Sequence, residues 1–409
     1  MANGEKRAAN DNLKAWYRRI SDHWLGSKLW IILLIYAAIA IGTATQNILI
    51  SGKPDKNGGL TMKYNNYLIF KYSFFNLVHN KDMYKIQPGQ AKDYYKYSPS
   101  FALLFGALSC LPDIIGLNIW NLLNTLVLFF SITFIINRDN NRKIMILLFI
   151  LIELITSTQN SQSNALVAGL LIFSFGLLEK KKFLTATLFI VLTVYIKIFG
   201  IIAIFLFAMY PEKWKLLKYT VIWSLLFFFL PLIVVGWNQF IFLYNSWFNL
   251  LMTDHSISTG LSVTGFIQAF IPSMTINNFL ILCIGFLLFL LPLVQIRQYH
   301  HYFFRLLFLC SLLIWIVIFN HKAESPTFII AMTGAGLWFF TQKTTTVNLV
   351  LLIIAFVLTS LSSTDIIPGS IRDDYIVPYC LKVIPCILIW LKITIDLLRR
   401  KDFTVFEKV

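Results

Sequence analysis

Residues 164–200 read NALVAGLLIFSFGLLEKKKFLTATLFIVLTVYIKIFG, and this stretch decides the fold class. Three lysines at 180–182 separate two apolar runs, while the uncharged polar turn 159–164 precedes the first run and Lys197 follows the second. Short basic connections are typical of the cytoplasmic side of membrane proteins. The alternation predicts helices that cross a membrane, with basic turns on one side and uncharged polar turns on the other.

The whole chain has the same character. Of its 409 residues 57% are hydrophobic and only 13% are charged, which leaves too little polar surface for a soluble protein. Since a membrane-spanning helix needs about 20 apolar residues, we predict an all-α polytopic membrane protein with about twelve transmembrane helices (range about 11–13). The twelve predicted segments are residues 28–48, 116–136, 143–158, 164–178, 183–196, 198–210, 219–237, 275–296, 303–319, 326–341, 346–362 and 377–398.

The pattern divides the chain into three regions. A charged tail at residues 1–26 precedes a membrane domain at 27–398, and a short basic tail follows at 399–409. The membrane domain includes a long first outer loop, residues 49–115. Within it, the apolar stretch 99–111 is too short to cross a bilayer, so we predict that it forms a helix that lies along the outer leaflet or dips into it.

The basic residues predict the orientation. Of the 35 lysines and arginines, 22 fall in the two tails or in connections that lie on the same side as the tails. Cytoplasmic loops retain such residues, so both termini are predicted to face the cytoplasm, in a plasma or inner membrane. Anionic lipid headgroups, which attract each nearby basic residue by about 1 kcal/mol, account for the net charge of +16 without a nucleic acid partner.

Under this orientation every unusual polar cluster lies on the outer side. Polar groups at membrane depth are costly unless they line a protein cavity, and we therefore predict one extracytoplasmic active site or binding cavity. The five cysteines have no metal-ligand spacing, and neither a disulfide framework nor a metal site is expected. The clusters are 46–100, 158–164, Lys197, 237–264, 320–325 and 365–375.

Lys197 and the turn before residue 164 are the first candidates for this site. An ammonium in an apolar run costs about 2.5–3.5 kcal/mol unless it is paired or hydrated, so Lys197 either binds a phosphate or extends to the membrane interface. The amides of Gln159, Asn160, Gln162 and Asn164 are predicted to bind sugar hydroxyls. The alternative for the turn is helix capping at Asn164.

The turn 320–326, NHKAESP, is the third candidate. His321 and Lys322 are predicted to bind phosphate with Glu324 as their orienting partner. A simple interfacial turn with an internal ion pair is the competing interpretation. His255 could contribute to the same site, although a single loop histidine is more often a solvated residue.

The run KYSPSFALL at 96–104, followed by LP at 111–112 and WNLLN at 120–124, resembles glycosyltransferase family 87, polytopic enzymes of the GT-C superfamily. The turn 159–164 is similar to the family's Gly-Gln-x-Asn turn. Lys197 matches the lysine of its Lys-Pro-x-Pro motif, with Ile198 and Gly200 in place of the prolines.

The resemblance implies a GT-C-like fold and transfer of a mannose-like hexose on the outer face of the membrane. The donor would be a polyprenyl-phosphate sugar acting as co-substrate, with no dissolved cofactor, and the acceptor a lipid or glycan. Lys96 and Tyr97 would then bind substrate, and the rings of Tyr95 and Tyr97 would stack on sugar or cover the lipid chain.

The catalytic base is the point at which this chain departs from the family. The family's base is an aspartate early in the first outer loop, where this chain has Asn65 and Asn66, and an amide cannot accept the proton. We predict Asp93 as the replacement, then Asp82, and last Glu324. The alternative for each of the two aspartates is a solvated loop residue paired with Lys81, Lys92 or Lys96.

Two other functions stay open at this stage. A transporter or flippase of a lipid-linked saccharide would also place polar groups in a membrane cavity, and it predicts a matching polar gate on the cytoplasmic side. A catalytically inactive relative that binds a glycolipid or a partner is consistent with Asn65 and Asn66 at the family's catalytic position. Fold alone does not decide between these functions.

Overall fold

The computed structural model describes residues 28–52, 63–87, 89–136, 139–254, 259–271, 277–400 and 403. Within these residues every regular element is a helix and no strand is present. The predicted all-α class is therefore confirmed. The tail predicted over residues 1–26 and most of that over 399–409 lie outside the described residues.

The first half of the chain forms nine α-helices and one long 3₁₀ helix, within the described residues. The segment predicted over 143–158 is divided in two at Ile150. The helices are α1 (Leu29–Ile50), α2 (Asn65–Val78), α3 (Pro99–Leu104), α4 (Gly106–Ser109), α5 (Asp113–Ile135), α6 (Asn140–Phe149), α7 (Leu151–Gln159), α8 (Asn164–Glu179), α9 (Phe183–Ile196) and the 3₁₀ helix Ile198–Met209.

The second half continues with α-helices joined by short helical turns. The α-helices are α10 (Lys213–Phe229), α11 (Trp237–Asp254), α12 (Val263–Phe270), α13 (Asn278–Leu290), α14 (Tyr302–Ile318), α15 (Phe328–Phe340), α16 (Thr346–Ala355) and α17 (Ile384–Arg399). The turns are Leu230–Ile233, Leu291–Val294, Ile296–Gln298, Ser325–Thr327, Phe356–Ser360, Leu361–Ser363, Gly369–Ile371, Arg372–Ile376 and Leu381–Val383.

Four of these stretches are long and apolar enough to cross a membrane alone: Leu29–Ile50, Asp113–Ile135, Lys213–Ile233 and Thr346–Ser363. The pair Gly369–Ile376 and Leu381–Arg399 could form a fifth span, bent by 85°. Shorter apolar helices fill much of the rest of the described chain. The structure thus agrees with a polytopic membrane protein, while the count of twelve spans stays a prediction.

Hydrogen bonds gather the basic connections at one end of the helices. Glu179, at the end of α8, accepts from Arg305 Nη2 at 2.6 Å and from the Tyr210 hydroxyl at 2.5 Å. Gln295 Nε2 donates to the carbonyl of Leu398 at 2.9 Å, next to the last helix end. These contacts bring together connections that are far apart in sequence. We refer to this as the basic end.

The other end collects the polar turns. Asn47, in the last turn of α1, donates through Nδ2 to the carbonyl of Gln159 at 2.7 Å. Trp120 Nε1 donates to the carbonyl of Ser161 at 2.9 Å. Helices α1, α5 and α7 therefore meet at the turn 159–164. We refer to this as the polar end, and the membrane side that it faces stays a prediction.

Close packing between buried helices fixes the positions of the basic end and the polar end relative to each other. Helix α14 is buried from Leu306 to Ile318, as expected for a helix that is apolar on every side. Where α8 meets α5, a Cβ on Gly169 would lie 2.9 Å from the backbone nitrogen of Leu128. Only glycine allows this approach, because any side chain would push the two helices apart.

Candidate functional site

The KYSPS run is anchored to the end of α9, beside Lys197. Ser98 Oγ accepts from Phe101 N at 3.1 Å, which caps α3, and donates to the carbonyl of Tyr195 at 2.7 Å. Pro99 follows at the first helical position, where its missing N–H is harmless. The outer loop and the α9 terminus are thereby joined at the polar end.

The apolar stretch 99–111 differs from its prediction. It forms two short helices, α3 and α4, which break at Phe105, rather than one surface helix. Phe101 is buried and packs against the rings of Phe70 and Trp120, at centroid distances of 5.5 and 6.2 Å. Aromatic residues in α2 and α5 supply these partners, which the local sequence of the stretch does not reveal.

Four predicted residues form one hydrogen-bonded chain, which we call the amide cluster: Gln162, Asn164, Lys197 and Glu324. Lys197 Nζ donates to Asn164 Oδ1 at 2.6 Å. Asn164 Nδ2 donates to Gln162 Oε1 at 2.5 Å and to the carbonyl of Pro326 at 3.0 Å. Gln162 Nε2 completes the chain by donating to Glu324 Oε2 at 2.8 Å. A cation and a carboxylate are thus connected through two neutral amides.

The geometry decides against two of the simpler interpretations. Asn164 does not cap α8, because the cap residue is Ser163 and no side-chain cap bond is present there. Lys197 does not extend to the interface, because its ammonium contacts Asn164 and lies 6.0 Å from the ring centroid of Tyr97. Both side chains therefore form hydrogen bonds within the amide cluster. Their roles toward a substrate stay predictions.

The electrostatics of the cluster follow from burial. Lys197 lies in the connection between α9 and the 3₁₀ helix, where burial lowers its pKa to about 8 while Glu324 acts in the opposite direction. Burial also raises the pKa of the Tyr97 hydroxyl, and the charges of Glu324 and Asp93 add to this, while a hydrogen bond with Ser163 opposes it. The charges of two carboxylates, Glu324 and Asp93, therefore act on the Tyr97 hydroxyl, and both residues are candidates for the catalytic base.

Two of the three candidate carboxylates are held by other residues. Both oxygens of Asp82 accept from Ser246 Oγ, at 2.9 and 3.1 Å, and Lys85 Nζ lies 3.7 Å away. Glu324 accepts from Gln162 and forms a capping box with Thr327. These contacts favour an anchoring role for Asp82 and a positioning role for Glu324.

Asp93 and Glu324 are exposed, whereas Asp82 is half-buried. The Oδ1 atom of Asp93 accepts the backbone N–H of Tyr94 at 2.7 Å. Asn65 Oδ1 accepts from the backbone nitrogen of Lys92 at 2.9 Å. Asp93 therefore lies next to the position to which the family resemblance assigns the catalytic aspartate. Asn66 Nδ2 donates instead to the carbonyl of Asn160 at 2.8 Å and ties α2 to the turn.

The remaining predicted residues lie around the cluster. Gln159 is exposed and contributes its carbonyl to Asn47, while the carbonyl of Lys96 accepts from Trp247 Nε1 at 3.2 Å. His321 and Lys322 are half-buried on the turn that carries Glu324. His255 lies outside the described residues.

Tyr95 does not match its prediction. Its side chain is only 3% exposed, because its ring packs between those of Tyr84 and Tyr97 at centroid distances of 5.8 and 5.5 Å. Its hydroxyl donates to the carbonyl of Ser98 at 2.7 Å. Tyr95 therefore supports the loop from within, and Tyr97 is left as the half-exposed ring of the pair.

A second polar group lies beside the cluster, and its lysine was missed from the sequence. Lys382 Nζ donates to Glu153 Oε1 at 3.0 Å, to Ser325 Oγ at 2.7 Å and to Ser363 Oγ at 2.6 Å. Ser325 directly follows Glu324, so this ion pair supports the same turn. The signal was present, because Lys382 interrupts an apolar segment just as Lys197 does.

The fold and the cluster define a polytopic helical membrane protein with a polar site at one end of its helices. The sequence profile of glycosyltransferase family 87 matches residues 95–319, more than half of the chain. The chain belongs to this family and is a membrane glycosyltransferase. No curated protein gives a significant match. The matched region includes Tyr97, Gln162, Asn164 and Lys197, whereas Asp93 precedes it and Glu324 follows it.

Proposed function

We propose that this protein is a GT-C-type hexosyltransferase. It moves a mannose-like hexose from a polyprenyl-phosphate donor to a hydroxyl of a lipid or glycan acceptor on the extracytoplasmic face. The observation that carries the proposal is the contact between Lys197 Nζ and Asn164 Oδ1. Because the hydrogen-bond partner of Lys197 is a neutral amide, the positive charge of its ammonium is available to an incoming phosphate. A bound phosphate would also raise the pKa of Lys197, which burial lowers.

The proposed reaction is a single displacement. The base takes the proton of the acceptor hydroxyl, and the hydroxyl oxygen attacks the anomeric carbon of the donor sugar. The bond between that carbon and the phosphate oxygen breaks, and the electron pair leaves with the polyprenyl phosphate. The Lys197 ammonium stabilises the negative charge that develops on the leaving oxygen.

Asp93 is our choice of base because it combines access with position. Its carboxylate is exposed, and its charge raises the pKa of the Tyr97 hydroxyl, as that of Glu324 does. It also follows Lys92, whose backbone nitrogen donates to Asn65, the position that the family resemblance assigns to the catalytic aspartate. Glu324 orients Gln162, and through it the amide that holds Lys197. Tyr97 provides a ring beside the ammonium.

The alternatives make different use of the same residues. A flippase needs a polar path to the basic end, where Glu179 is already bound by Arg305 and Tyr210. An inactive relative needs no base. Membership of glycosyltransferase family 87 favours transfer over both, and the assay below distinguishes them.

We also propose that the basic end faces the cytoplasm of a plasma or inner membrane, with both termini on that side. Short peptide tags added before Met1 and after Val409 are then expected to react with an impermeant label only after the membrane is opened. Tags placed at 373–374, in the polar-end loop, should react in intact cells. Labelling of either terminus in intact cells would reverse the proposed orientation.

Replacement of Lys197 by methionine tests the phosphate role. We expect sugar transfer to fall by about 10²–10³-fold, which is the usual effect of removing one group that stabilises developing negative charge. The purified protein is offered polyprenyl phosphates carrying mannose, glucose or galactose, with membrane lipid extract as acceptor, and the labelled product is measured.

The control is Lys213→Met, which removes an exposed lysine at the start of α10 on the basic end. It should retain the wild-type rate. Undiminished transfer by a folded Lys197→Met protein would exclude the phosphate role. Failure of the wild-type protein to use any of the three donors would count against transfer and favour an inactive relative.

A further inference from the structure

The segment 259–262 lies directly on the turn 320–326, which carries Glu324. The backbone N–H of Leu261 donates to the carbonyl of Ala323 at 2.8 Å, and only 2% of Ala323 is exposed. Glu324 directly follows Ala323 in the chain. This backbone bond therefore acts one residue away from the carboxylate that ends the amide cluster.

The segment is itself fixed on its far side. Ser262 Oγ accepts from Gly265 N at 3.2 Å, which caps α12, and it donates to the carbonyl of Thr259 at 2.6 Å. Cys380 Sγ donates to the carbonyl of Gly260 at 3.8 Å. These contacts limit how far the segment can retreat from the turn.

Gly260 is the point of closest approach between the segment and the turn. Its φ is 51°, in the left-handed region that favours glycine. A Cβ at this position would lie 2.5 Å from the carbonyl oxygen of His321 and 3.0 Å from that of Ala323. Both are backbone atoms, which cannot rotate away as the end of a side chain can. Any side chain at 260 would therefore push the turn and the segment apart.

The position of the turn matters because Glu324 acts on Lys197 in two ways. Its Oε2 accepts from Gln162, which accepts from Asn164, which in turn accepts from the Lys197 ammonium. Its charge also raises the pKa of Lys197, whereas burial lowers that pKa to about 8. Displacement of the turn would weaken both effects.

We propose that Gly260 is a positioning residue of the donor site, which holds the turn 320–326 where Glu324 orders the amide cluster around Lys197. Gly260 does not contact the substrate in this proposal and acts through the turn. The inference rests on the proposed function, because it takes the amide cluster as the site of the donor phosphate.

Gly260→Ala, made in the full-length protein in detergent, tests the proposal with polyprenyl phosphate as the probe. The affinity is measured by isothermal titration calorimetry between about pH 7 and pH 10, and folding is checked by the melting temperature. Gly236→Ala is the matched control, because Gly236 directly precedes α11 and a Cβ there meets nothing within 4 Å.

We expect Gly260→Ala to bind polyprenyl phosphate at least about tenfold more weakly than the wild type and Gly236→Ala do. The affinity of the wild type should fall as the pH rises through about 8, because Lys197 then loses its proton. In Gly260→Ala this fall should occur at lower pH, since a more distant Glu324 stabilises the ammonium less. The other titratable groups around the site are the same in both proteins: Asp93, Tyr97, His321 and Lys322.

A double variant distinguishes positioning from general loosening of the fold. Glu324→Gln removes the charge of the turn and keeps the shape of the side chain. If Gly260 acts through Glu324, adding Gly260→Ala to Glu324→Gln should cause no further loss of affinity. Additive losses, or a weaker Gly260→Ala protein with an unchanged pH midpoint, would overturn the proposal.

The wild type provides a test that does not depend on the folding of any variant. A contact that favours phosphate binding is itself stabilised by bound phosphate, because coupling between two sites is reciprocal. Polyprenyl phosphate should therefore slow hydrogen exchange of the Leu261 N–H by about fivefold or more. The N–H of Lys182, bonded to the carbonyl of Leu177 at the basic end, should be unaffected. Unchanged exchange at Leu261 would contradict the proposal.

The two proposals fail in different ways. A wild-type protein that binds no polyprenyl phosphate would refute the phosphate role on which the proposed function depends. A wild type that binds polyprenyl phosphate and transfers sugar, together with a folded Gly260→Ala protein that binds equally well, would refute the positioning role and support the function.

Discussion

Replacement of Asp93 by asparagine is expected to lower kcat for sugar transfer by about 10²–10⁴-fold, the usual contribution of a positioned general base. The side chain keeps its shape and can still accept the N–H of Tyr94 through its amide oxygen, but it can no longer accept a proton. KM for the donor should stay the same, because the amide cluster, and not Asp93, is proposed to hold the phosphate. Steady-state kinetics with the preferred polyprenyl-phosphate sugar measure both constants.

A second substitution makes the test specific to the base. Asn65 Oδ1 accepts from the backbone of Lys92, beside Asp93, and an aspartate at 65 preserves that acceptor. Adding Asn65→Asp to Asp93→Asn should therefore restore part of the rate by returning a carboxylate to the position where the family resemblance places it. Asp374→Asn, at an exposed residue elsewhere on the polar end, is the control. A rate equal to wild type in Asp93→Asn would eliminate Asp93 as the base.

Removal of one partner from the Glu153–Lys382 pair is expected to lower the free energy of unfolding by about 3–5 kcal/mol. Their side chains are 0% and 4% exposed, and the atoms Glu153 Oε1 and Lys382 Nζ lie 3.0 Å apart. Glu153→Leu would leave an ammonium buried without its counter-charge, and Lys382→Met would leave a buried carboxylate. Unfolding in detergent, followed by tryptophan fluorescence, measures the loss.

The double variant Glu153→Leu/Lys382→Met separates this explanation from simple loss of packing. Apolar residues of similar volume often replace a buried ion pair without destabilisation, so the double variant should be more stable than either single one. Because Lys382 also binds Ser325, beside Glu324, both single variants should raise KM for the donor as well. Single variants that match the wild type in stability would show that the pair is not a structural support.

The pair also shows why part of the site was not predictable. Lys382 and Glu153 are 229 residues apart in the chain, and nothing in either local sequence indicates the other. The desolvation argument applied to Lys197 identifies Lys382 as unusual too, but not its partner. Tyr95 is a similar case, because its loop composition suggests an exposed ring and only the packing of Tyr84 and Tyr97 around it produces burial.

The sequence by itself determined the helical class, the approximate helix positions and the family, because each depends on local properties: apolar run length, the placement of basic residues and short motifs. It also indicated that one side of the membrane holds Gln162, Asn164, Lys197 and the turn of Glu324. Only the tertiary structure decided which atoms meet, through the close approach of α5 and α8 and the burial of α14. The direction of a side chain depends on neighbours that packing supplies from distant parts of the chain.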